Sequence, residues 1–339
     1  MADGMWSRAA AKMNQPALTI VMYHYVRPIA GSQYPRIRGL ELTDFEGQLD
    51  YIERYHQVVS MAQVLAASRQ EAALAPGSVL LTFDDGYLDH YAHVFPALAR
   101  RGMTGVFFPP TCAVRDRRML DVNKIHFILA SVDGLDDVIA YMEEEVTKAG
   151  LRPVAEYREE LRTPNRFDTA DTMYVKRMLQ FALAADLRAA IVDALFRRFV
   201  SQDEEGFAET VYMSESQTRE MVVGGMSIGG HGSAHQWLDK MQPDDQRKDI
   251  ADSLQWLEAM GASREHFLFC YPYGGYNAHT LAALRERNCA AAFTTKVDLA
   301  VISAETMLEL PRLDTNDLPR SGDELPVTWT EKALKESAA

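Results

Sequence analysis

Six short apolar runs recur along the chain, and helix-like segments follow most of them. Because the runs lack the polar alternation of a half-exposed strand, they are typical of strands buried on both faces of a parallel sheet. The predicted strands are Leu18–Tyr23, Ser78–Phe83, Thr104–Phe108, Met226–Gly229, His266–Cys270 and Ala290–Thr294. This alternation of strands and helices predicts a parallel α/β sheet or barrel.

Amphipathic helices are predicted between the strands. Thr43-Asp44-Phe45-Glu46 has the pattern of a capping box, and apolar residues follow it at helical spacing. Two further predicted helices, Leu88–Arg101 and Ile250–Met260, are each followed by a glycine, Gly102 and Gly261, as is common at helix C-termini.

A helical region interrupts the alternation between about Leu120 and Arg219. It is rich in Ala, Leu, Glu, Arg and Met, and its predicted helices are Val138–Lys148, Thr172–Ala184 and Leu187–Val200. We therefore predict a main domain made of residues 1–112 and 220–339, with residues 113–219 as a helical insertion or lid within it.

Charge and composition exclude several kinds of partner. The net charge of −13 over 339 residues argues against binding to nucleic acid or to an anionic membrane surface. No run of about 18 apolar residues occurs, so no membrane span is predicted. Three cysteines without a CxxC pair, and an N-terminal segment without the pattern of a signal peptide, lead us to expect a cytoplasmic protein.

Polar or conformationally special residues follow most of the predicted strands. In parallel α/β proteins the carboxyl ends of the strands share one face, which carries the active site. These clusters are therefore expected to converge, although they are far apart in sequence: Tyr23-His24-Tyr25, Asp84-Asp85-Gly86, Pro109-Pro110-Thr111, Gly230-His231-Gly232 and Tyr271-Pro272-Tyr273-Gly274.

Two adjacent carboxylates, Asp84 and Asp85, follow the second predicted strand. Neighbouring residues of an extended chain point in different directions, so one carboxylate could hold a metal ion while the other handles protons. The alternative is an Asp-Gly turn that caps a helix.

Two imidazoles, His231 and His235, are separated by four positions in the sequence. In a helix or a tight loop this spacing lets both rings reach one ion, and Gly229, Gly230 and Gly232 favour the loop. Two histidines and one carboxylate form a known catalytic metal arrangement. The alternative is a pair of ordinary loop histidines.

A third strand exit, Tyr271–Tyr276, contains a proline and two glycines. Such an irregular backbone could leave main-chain N–H groups to donate to an oxyanion. The alternative is a turn with aromatic packing.

Taken together, TFDDGY at 82–87, HGSAH at 231–235 and YPYGGYN at 271–277 resemble the polysaccharide deacetylase family. This is the NodB-homology group that includes carbohydrate esterase family 4. The segments LTIVMYHYVRP at 18–28 and HVFPALARRGMTGVFFPPT at 93–111 resemble it too. The resemblance covers about residues 17–112 and 224–320 and implies a distorted (β/α) barrel of the NodB type, here with a mostly helical insertion.

The resemblance also implies roles for individual residues. Asp84 would be the catalytic base, and Asp85 would bind the metal together with His231 and His235. The backbone N–H of Tyr273 would help to bind the developing oxyanion. The implied cofactor is a divalent metal with zinc as the default, and Co, Fe, Mn or Ni as alternatives; no organic cofactor is implied.

Three departures from the family pattern lead to further predictions. Gly232 stands where many members have Ser or Thr, although Ser233 could substitute for it. Cys270 stands where many members have an arginine that orients the base, and our candidate replacement is Arg312, with Asp314 as its partner.

The third departure concerns the proton donor, because the late histidine of the family is missing. His24, at the end of the first strand, is our candidate for the acid, and His126 in the insertion is the rival. These departures place the chain in a divergent, cytoplasmic branch of the family.

The predicted activity is metal-dependent hydrolysis of an N-acyl group, acetyl or formyl, from an amino sugar. The expected substrate is an amino sugar, a sugar nucleotide or an oligosaccharide used in the biosynthesis of surface polysaccharide, O-antigen or lipopolysaccharide. Arg27, Arg36 and Arg38 could meet a phosphate, or could lie in a solvated loop. The alternatives are a catalytically silent carbohydrate-binding protein and a metal hydrolase of a non-sugar amide or ester. The sequence does not predict the oligomeric state.

Overall fold

The computed structural model describes residues 17–165 and 168–336. Contacts divide the chain into two compact units. The first consists of Met1–Arg27, Leu40–Asp116 and Val211–Ala339, and the second of Pro28–Gly39 and Arg117–Thr210. The sequence analysis placed residues 28–39 with the main domain, whereas the structure groups them with the helical residues.

The described part of the first unit contains eleven strands. They are β1 (Ala17–Tyr23), β2 (Val26–Arg27), β3 (Leu40–Glu41), β4 (Gln57–Val58), β5 (Ser78–Asp84), β6 (Val106–Phe108), β7 (Ser227–Ile228), β8 (Leu268–Cys270), β9 (Ala291–Phe293), β10 (Ala300–Val301) and β11 (Leu313–Asp314). All six predicted strands are present; the first two are one residue longer than predicted, and the other four are two residues shorter.

Parallel pairing joins seven of these strands, β1, β5, β6, β7, β8, β9 and β11, into a closed ring. β1 pairs in parallel with β5 and β11, β5 with β6, β6 with β7, and β8 with β9. Parallel bridges from Gly230 to Phe269 and from Phe293 to Leu310 continue the ring between the remaining neighbours. The predicted α/β fold class is confirmed, and at these two places the ring is joined by isolated bridges only.

Side chains alternate between two faces of the buried strands, as the pleat requires. On β5, Leu81 and Phe83 pack in one core cluster with Phe45 and Leu257 of flanking helices. Leu80 packs in a second cluster with side chains from the other strands, including β1, β6, β8 and β9. Asp84 shares the parity of Leu80, so the same pleat directs it away from the helix-facing cluster.

The helices of the first unit flank these strands. They are α1 (Leu42–Tyr55), α2 (Met61–Ser68), α3 (Phe95–Arg100), α4 (Thr111–Val114), and later in the chain Glu215–Val223, Pro243–Ala259, Ala278–Glu286 and Thr328–Glu336. The predicted capping box at Thr43 is wrong: α1 begins at Leu42, and Glu41 at its N-cap makes no side-chain cap.

The two helices predicted to end at glycines also differ in detail. A π-helical turn over His90–Val94 precedes α3, and the helix predicted from Ile250 begins earlier, at Pro243. Gly102 and Gly261 both have positive φ, 65° and 92°, which is the conformation expected of a glycine that follows a helix.

The second unit is helical. Its helices are Asp121–Ser131, Asp136–Lys148, Val154–Leu161, Ala170–Arg177 and Ala185–Phe199, and Glu204–Val211 runs to its boundary. None of the helices in the described residues of either unit combines the length and apolar character that a membrane span requires.

We predict that Phe83→Ala destabilises the first unit by about 3–5 kcal/mol, because it leaves a cavity in a stacked aromatic core. Phe83 is fully buried, and its ring centroid lies 5.0 Å from that of Tyr23 and 4.7 Å from that of Phe107. Urea unfolding measures the change. Phe181→Ala is the control, since Phe181 is 54% exposed and its loss should change the free energy of unfolding by less than about 0.5 kcal/mol. Equal effects of the two changes would contradict this account of the core.

Candidate active site

A buried ion pair lies at the carboxyl end of β5. Asp84 ends this strand, and Arg312 immediately precedes β11. The Arg312 guanidinium donates to both oxygens of Asp84, from Nη1 to Oδ1 at 2.9 Å and from Nη2 to Oδ2 at 2.8 Å. It also donates to the hydroxyl of Thr82 and to the backbone oxygen of Thr294. All its nitrogens therefore have acceptors, although the side chain is fully buried.

This pair keeps Asp84 ionised. Burial alone would raise the pKa of the Asp84 carboxyl, but the charge and hydrogen bonds of Arg312 outweigh it and lower this pKa to about 2. At neutral pH Asp84 is therefore an anion held in a fixed orientation. The predicted pairing of a cation from outside the motif with Asp84 agrees with this geometry.

Cys270 occupies the position at which the family pattern has an arginine. Its Sγ lies 3.1 Å from Nη2 of Arg312 and 3.5 Å from Oδ2 of Asp84. The small thiol leaves room for the guanidinium that enters from the start of β11. The expectation that Asp314 is the partner of Arg312 is wrong, because Asp314 instead caps the short helix Thr315–Asp317.

Asp85 follows Asp84 but does not continue the strand. Its φ of 72° is in the left-handed region, so the chain turns here and the two adjacent carboxylates diverge. Oδ1 of Asp85 lies 3.4 Å from Nε2 of His231 and 3.3 Å from Nε2 of His235. The structure thus brings Asp85 together with two histidines that lie about 150 positions later in the sequence, and all three side chains are buried.

The spacing of these three groups fits a single divalent ion. Ligand atoms about 2.0–2.2 Å from one ion at a tetrahedral angle lie roughly 3.3–3.6 Å apart. The two carboxylate-to-imidazole distances are within this range, and all three ligand atoms lie within 4.8 Å of one another. Two imidazoles and a carboxylate suit zinc as well as several other first-row metals.

Hydrogen bonds fix the orientation of two of the three candidate ligands. Nδ1 of His231 lies 2.9 Å from the backbone oxygen of Cys270, which can only accept, so Nδ1 carries a proton. In the neutral ring this leaves the lone pair on Nε2, the nitrogen that faces Asp85. The Tyr87 hydroxyl donates to Oδ2 of Asp85 at 2.6 Å. This bond leaves Oδ1 as the oxygen that faces the histidines.

Tyr273 lies on the same side of the site as His235. Its φ of 58° is left-handed, and its ring centroid lies 4.8 Å from that of His235. The Trp237 ring stacks on Tyr273 at 4.6 Å and 1°. The structure therefore places Tyr273 beside the ligands, next to a flat aromatic pair, while the oxyanion role of its backbone N–H stays a prediction.

His24 reaches Asp84 from the more open side. Its Nε2 lies 3.9 Å from Oδ2 of Asp84, and its side chain is 43% exposed. The buried His90 ring contacts the backbone oxygen of His24 at 2.8 Å, which fixes the turn after β1. The rival proton donor, His126, lies in the helix Asp121–Ser131 of the second unit.

The three arginines considered for phosphate binding all have carboxylate partners. Arg27 pairs with Asp89 at 2.6 Å in the first unit. In the second unit Arg36 pairs with Asp133 and Arg38 lies 3.7 Å from Asp168. These pairs reduce the positive charge that each arginine could offer to a phosphate.

Sequence reasoning missed several residues that support the site. Tyr87 lies inside the quoted TFDDGY motif, but nothing in a sequence shows that its hydroxyl turns back to Asp85. Asp249, whose carboxylate bonds the loop between the histidines, resembles any acidic residue of an exposed helix. Trp237 lies two positions after His235, and this closeness in the sequence is the one signal that could have marked it as part of the site.

Comparisons with known proteins show which proteins this chain is similar to. The family model for polysaccharide deacetylases matches residues 167–292, which include both histidines. A Bacillus subtilis (strain 168) protein described as "Putative polysaccharide deacetylase YxkH" is 31% identical over 85 residues. That match covers 25% of this chain and 30% of the relative, so the chain spans less than a third of the relative's length.

The resemblance to the polysaccharide deacetylase family is thereby confirmed. Solved structures of similar proteins share the fold of this chain. The Streptococcus pyogenes deacetylase PplD, in complex with acetate, matches with a TM-score of 0.56 and 18% identity, over 96% of this chain and 99% of that one. IcaB from Ammonifex degensii matches with a TM-score of 0.54 and 19% identity, over 95% and 97% of the two chains.

We expect Arg312→Gln to lower the free energy of unfolding by about 3–5 kcal/mol, because it leaves the buried Asp84 charge without its partner. Denaturant unfolding at neutral pH measures the change. The double variant Asp84→Asn/Arg312→Gln should recover much of the loss. Arg247→Gln serves as the control, since Arg247 is 43% exposed and should change stability by less than about 0.5 kcal/mol. A loss below about 1 kcal/mol for Arg312→Gln would show that Asp84 does not depend on this cation.

Tyr87→Phe should weaken zinc binding by roughly 10-fold or more, because removing a hydrogen bond to a ligand frees its orientation. Competition with a chromophoric chelator gives the dissociation constant. Tyr91→Phe, which removes a hydroxyl bonded to the exposed Glu220, should leave zinc affinity unchanged. Equal affinities of wild type and Tyr87→Phe would rule out a role for the Tyr87 hydroxyl.

Proposed function

We propose that this chain is a metal-dependent hydrolase that removes an N-acyl group, in the first instance acetyl, from an amino sugar. The observation that carries the proposal is a juxtaposition. An ionised carboxylate, Asp84, is held by Arg312 beside a ligand set of Asp85, His231 and His235. A base next to a ligand set for a divalent ion is the arrangement needed for hydrolysis of an amide.

Each group of the chain has a separate task in this reaction. When bound, a divalent ion supplies Lewis-acid polarisation of the acyl carbonyl and acidifies a water. Asp84 accepts the proton of the attacking water, and Arg312 keeps that carboxylate ionised and aimed until the attack. The amine leaving group needs a proton, and His24 is the proposed donor because its Nε2 lies 3.9 Å from Asp84 on the open side.

The aromatic residues beside the ligands support a sugar substrate. Tyr273 and Trp237 stack in parallel next to His235 and offer an apolar surface to a ring or an acyl methyl group. Two of the similar proteins reported above have the word deacetylase in their names, which supports acetyl over formyl as the group removed.

We propose that the substrate is an N-acylated amino sugar, which is free, nucleotide-linked or within an oligosaccharide. It would serve surface polysaccharide biosynthesis in the cytoplasm. Zinc is the first ion to test, followed by Co, Fe, Mn and Ni.

Substitutions at the proposed base and ligands should separate their roles. Asp84→Asn should keep the bound ion and lower acetate release by at least about 100-fold, because it removes the proton acceptor. His231→Ala and His235→Ala should lose the ion as well as turnover. Metal analysis and an acetate assay on N-acetylated sugars, oligosaccharides and sugar nucleotides measure both quantities.

His279→Ala is the matched control, because His279 lies on the helix Ala278–Glu286 and is exposed. It should keep both metal content and rate. Wild-type rates in Asp84→Asn would remove Asp84 from the role of base. Metal binding without release of acetate or formate from any substrate would favour the silent carbohydrate-binding protein instead.

A further inference from the structure

The loop that carries the two proposed histidine ligands has no regular secondary structure. His231 and His235 are its first and last residues, and three residues separate them. Gly232 and His235 have positive φ values of 72° and 51°. Local conformational preference alone therefore does not explain the placement of the two rings, and contacts from neighbouring elements must hold the loop.

One side chain binds the centre of this loop. Asp249, in the second turn of the helix Pro243–Ala259, is only 6% exposed. Its Oδ2 accepts from the backbone N–H of Ser233 at 2.9 Å, and its Oδ1 accepts from that of Ala234 at 3.0 Å. Both carboxylate oxygens are thus used on consecutive peptide groups between the histidines.

The opposite side of the loop is bound by backbone alone. The N–H groups of Thr111 and Cys112 donate to the carbonyl oxygens of Gly232 and Ser233, at 3.3 Å and 2.9 Å. The loop is therefore held between a backbone edge, which substitutions change little, and the carboxylate of Asp249, which a single substitution can remove.

Gly232 and Asp249 are sterically matched. A Cβ at position 232 would lie 2.9 Å from Oδ2 of Asp249, and the φ of 72° further disfavours a side chain there. The glycine that replaces the Ser or Thr of the family pattern therefore lets this carboxylate approach the loop backbone.

We propose that Asp249 is a positioning residue of the metal centre, which sets the separation of His231 and His235 through the backbone between them. The inference rests on the proposed function, because it takes the two histidines as metal ligands. Its hydrogen bonds reach Ser233 and Ala234, so it acts on the ligands through the peptide chain and not as a ligand itself.

The test is the zinc affinity and the absorption spectrum of the cobalt-substituted protein. Asp249→Asn keeps the shape of the side chain but turns an NH₂ group towards one of the two peptide donors. We expect the zinc dissociation constant to rise roughly 10–100-fold, the range typical of lost support for a metal ligand. The cobalt spectrum should change as well, since it reports the geometry of the ligands.

Two further variants separate positioning from stability. Asp249→Glu keeps both acceptor oxygens, so its zinc affinity should be within about fivefold of wild type. This comparison can be made even if Asp249→Asn fails to fold. Asp252→Asn, on the same helix, is the matched control, because Asp252 pairs with Lys248 at the surface. It should leave the zinc dissociation constant and the cobalt spectrum unchanged.

The outcomes distinguish this inference from the proposed function. A wild-type protein that binds neither zinc nor cobalt overturns the metal centre itself. A wild-type protein that binds zinc, with the same affinity and cobalt spectrum in Asp249→Asn, overturns only the positioning role of Asp249. A folded Asp249→Glu with no measurable zinc affinity would also overturn it, because the two acceptor oxygens would then not be what the loop requires.

Discussion

The candidate site depends on one buried ion pair, Asp84 with Arg312. A charge removed from water is strongly unfavourable unless it is paired and fully hydrogen-bonded, and here both conditions are met. The pair also links the carboxyl end of β5 to the start of β11, the two strands that flank β1. The interaction that keeps the proposed base ionised thus also connects the two strands on either side of β1.

The turn after β5 lets two neighbouring carboxylates do different work. Asp84 still follows the pleat of the strand, whereas Asp85 has a left-handed backbone and leaves it. Two like charges on adjacent residues would otherwise compete for the same cations. The turn gives Arg312 to Asp84, and the two histidines and the Tyr87 hydroxyl to Asp85. A proton acceptor and a metal ligand can then lie side by side with separate environments.

The sequence predicted the parts of the fold and the site that depend on strand order. Buried apolar runs mark the strands, and parallel strands share one carboxyl end, so Asp84, His231 and Tyr273 could be placed together without coordinates. Asp249 could not be found this way, because its role comes from the packing of a helix against a loop. The wrong pairing of Arg312 with Asp314 has the same origin: proximity in sequence does not show where a buried side chain points. The capping box at Thr43 failed because the helix begins before it, at Leu42.

The resemblance implies an arginine at the position of Cys270 in many members of the family. In this chain Asp84 instead receives its bidentate cation from Arg312, just before β11. Cys270 on β8 is small enough for the guanidinium of Arg312 to pass beside its sulfur, 3.1 Å away, and reach both carboxylate oxygens. Gly232 and Asp249 show the same arrangement. Position 232 has no side chain, so the carboxylate of Asp249 can approach the loop there. In both cases a departure from the family pattern makes room for a group that arrives from a different element, so an altered motif residue in this chain is better interpreted together with its spatial neighbours than as a lost function.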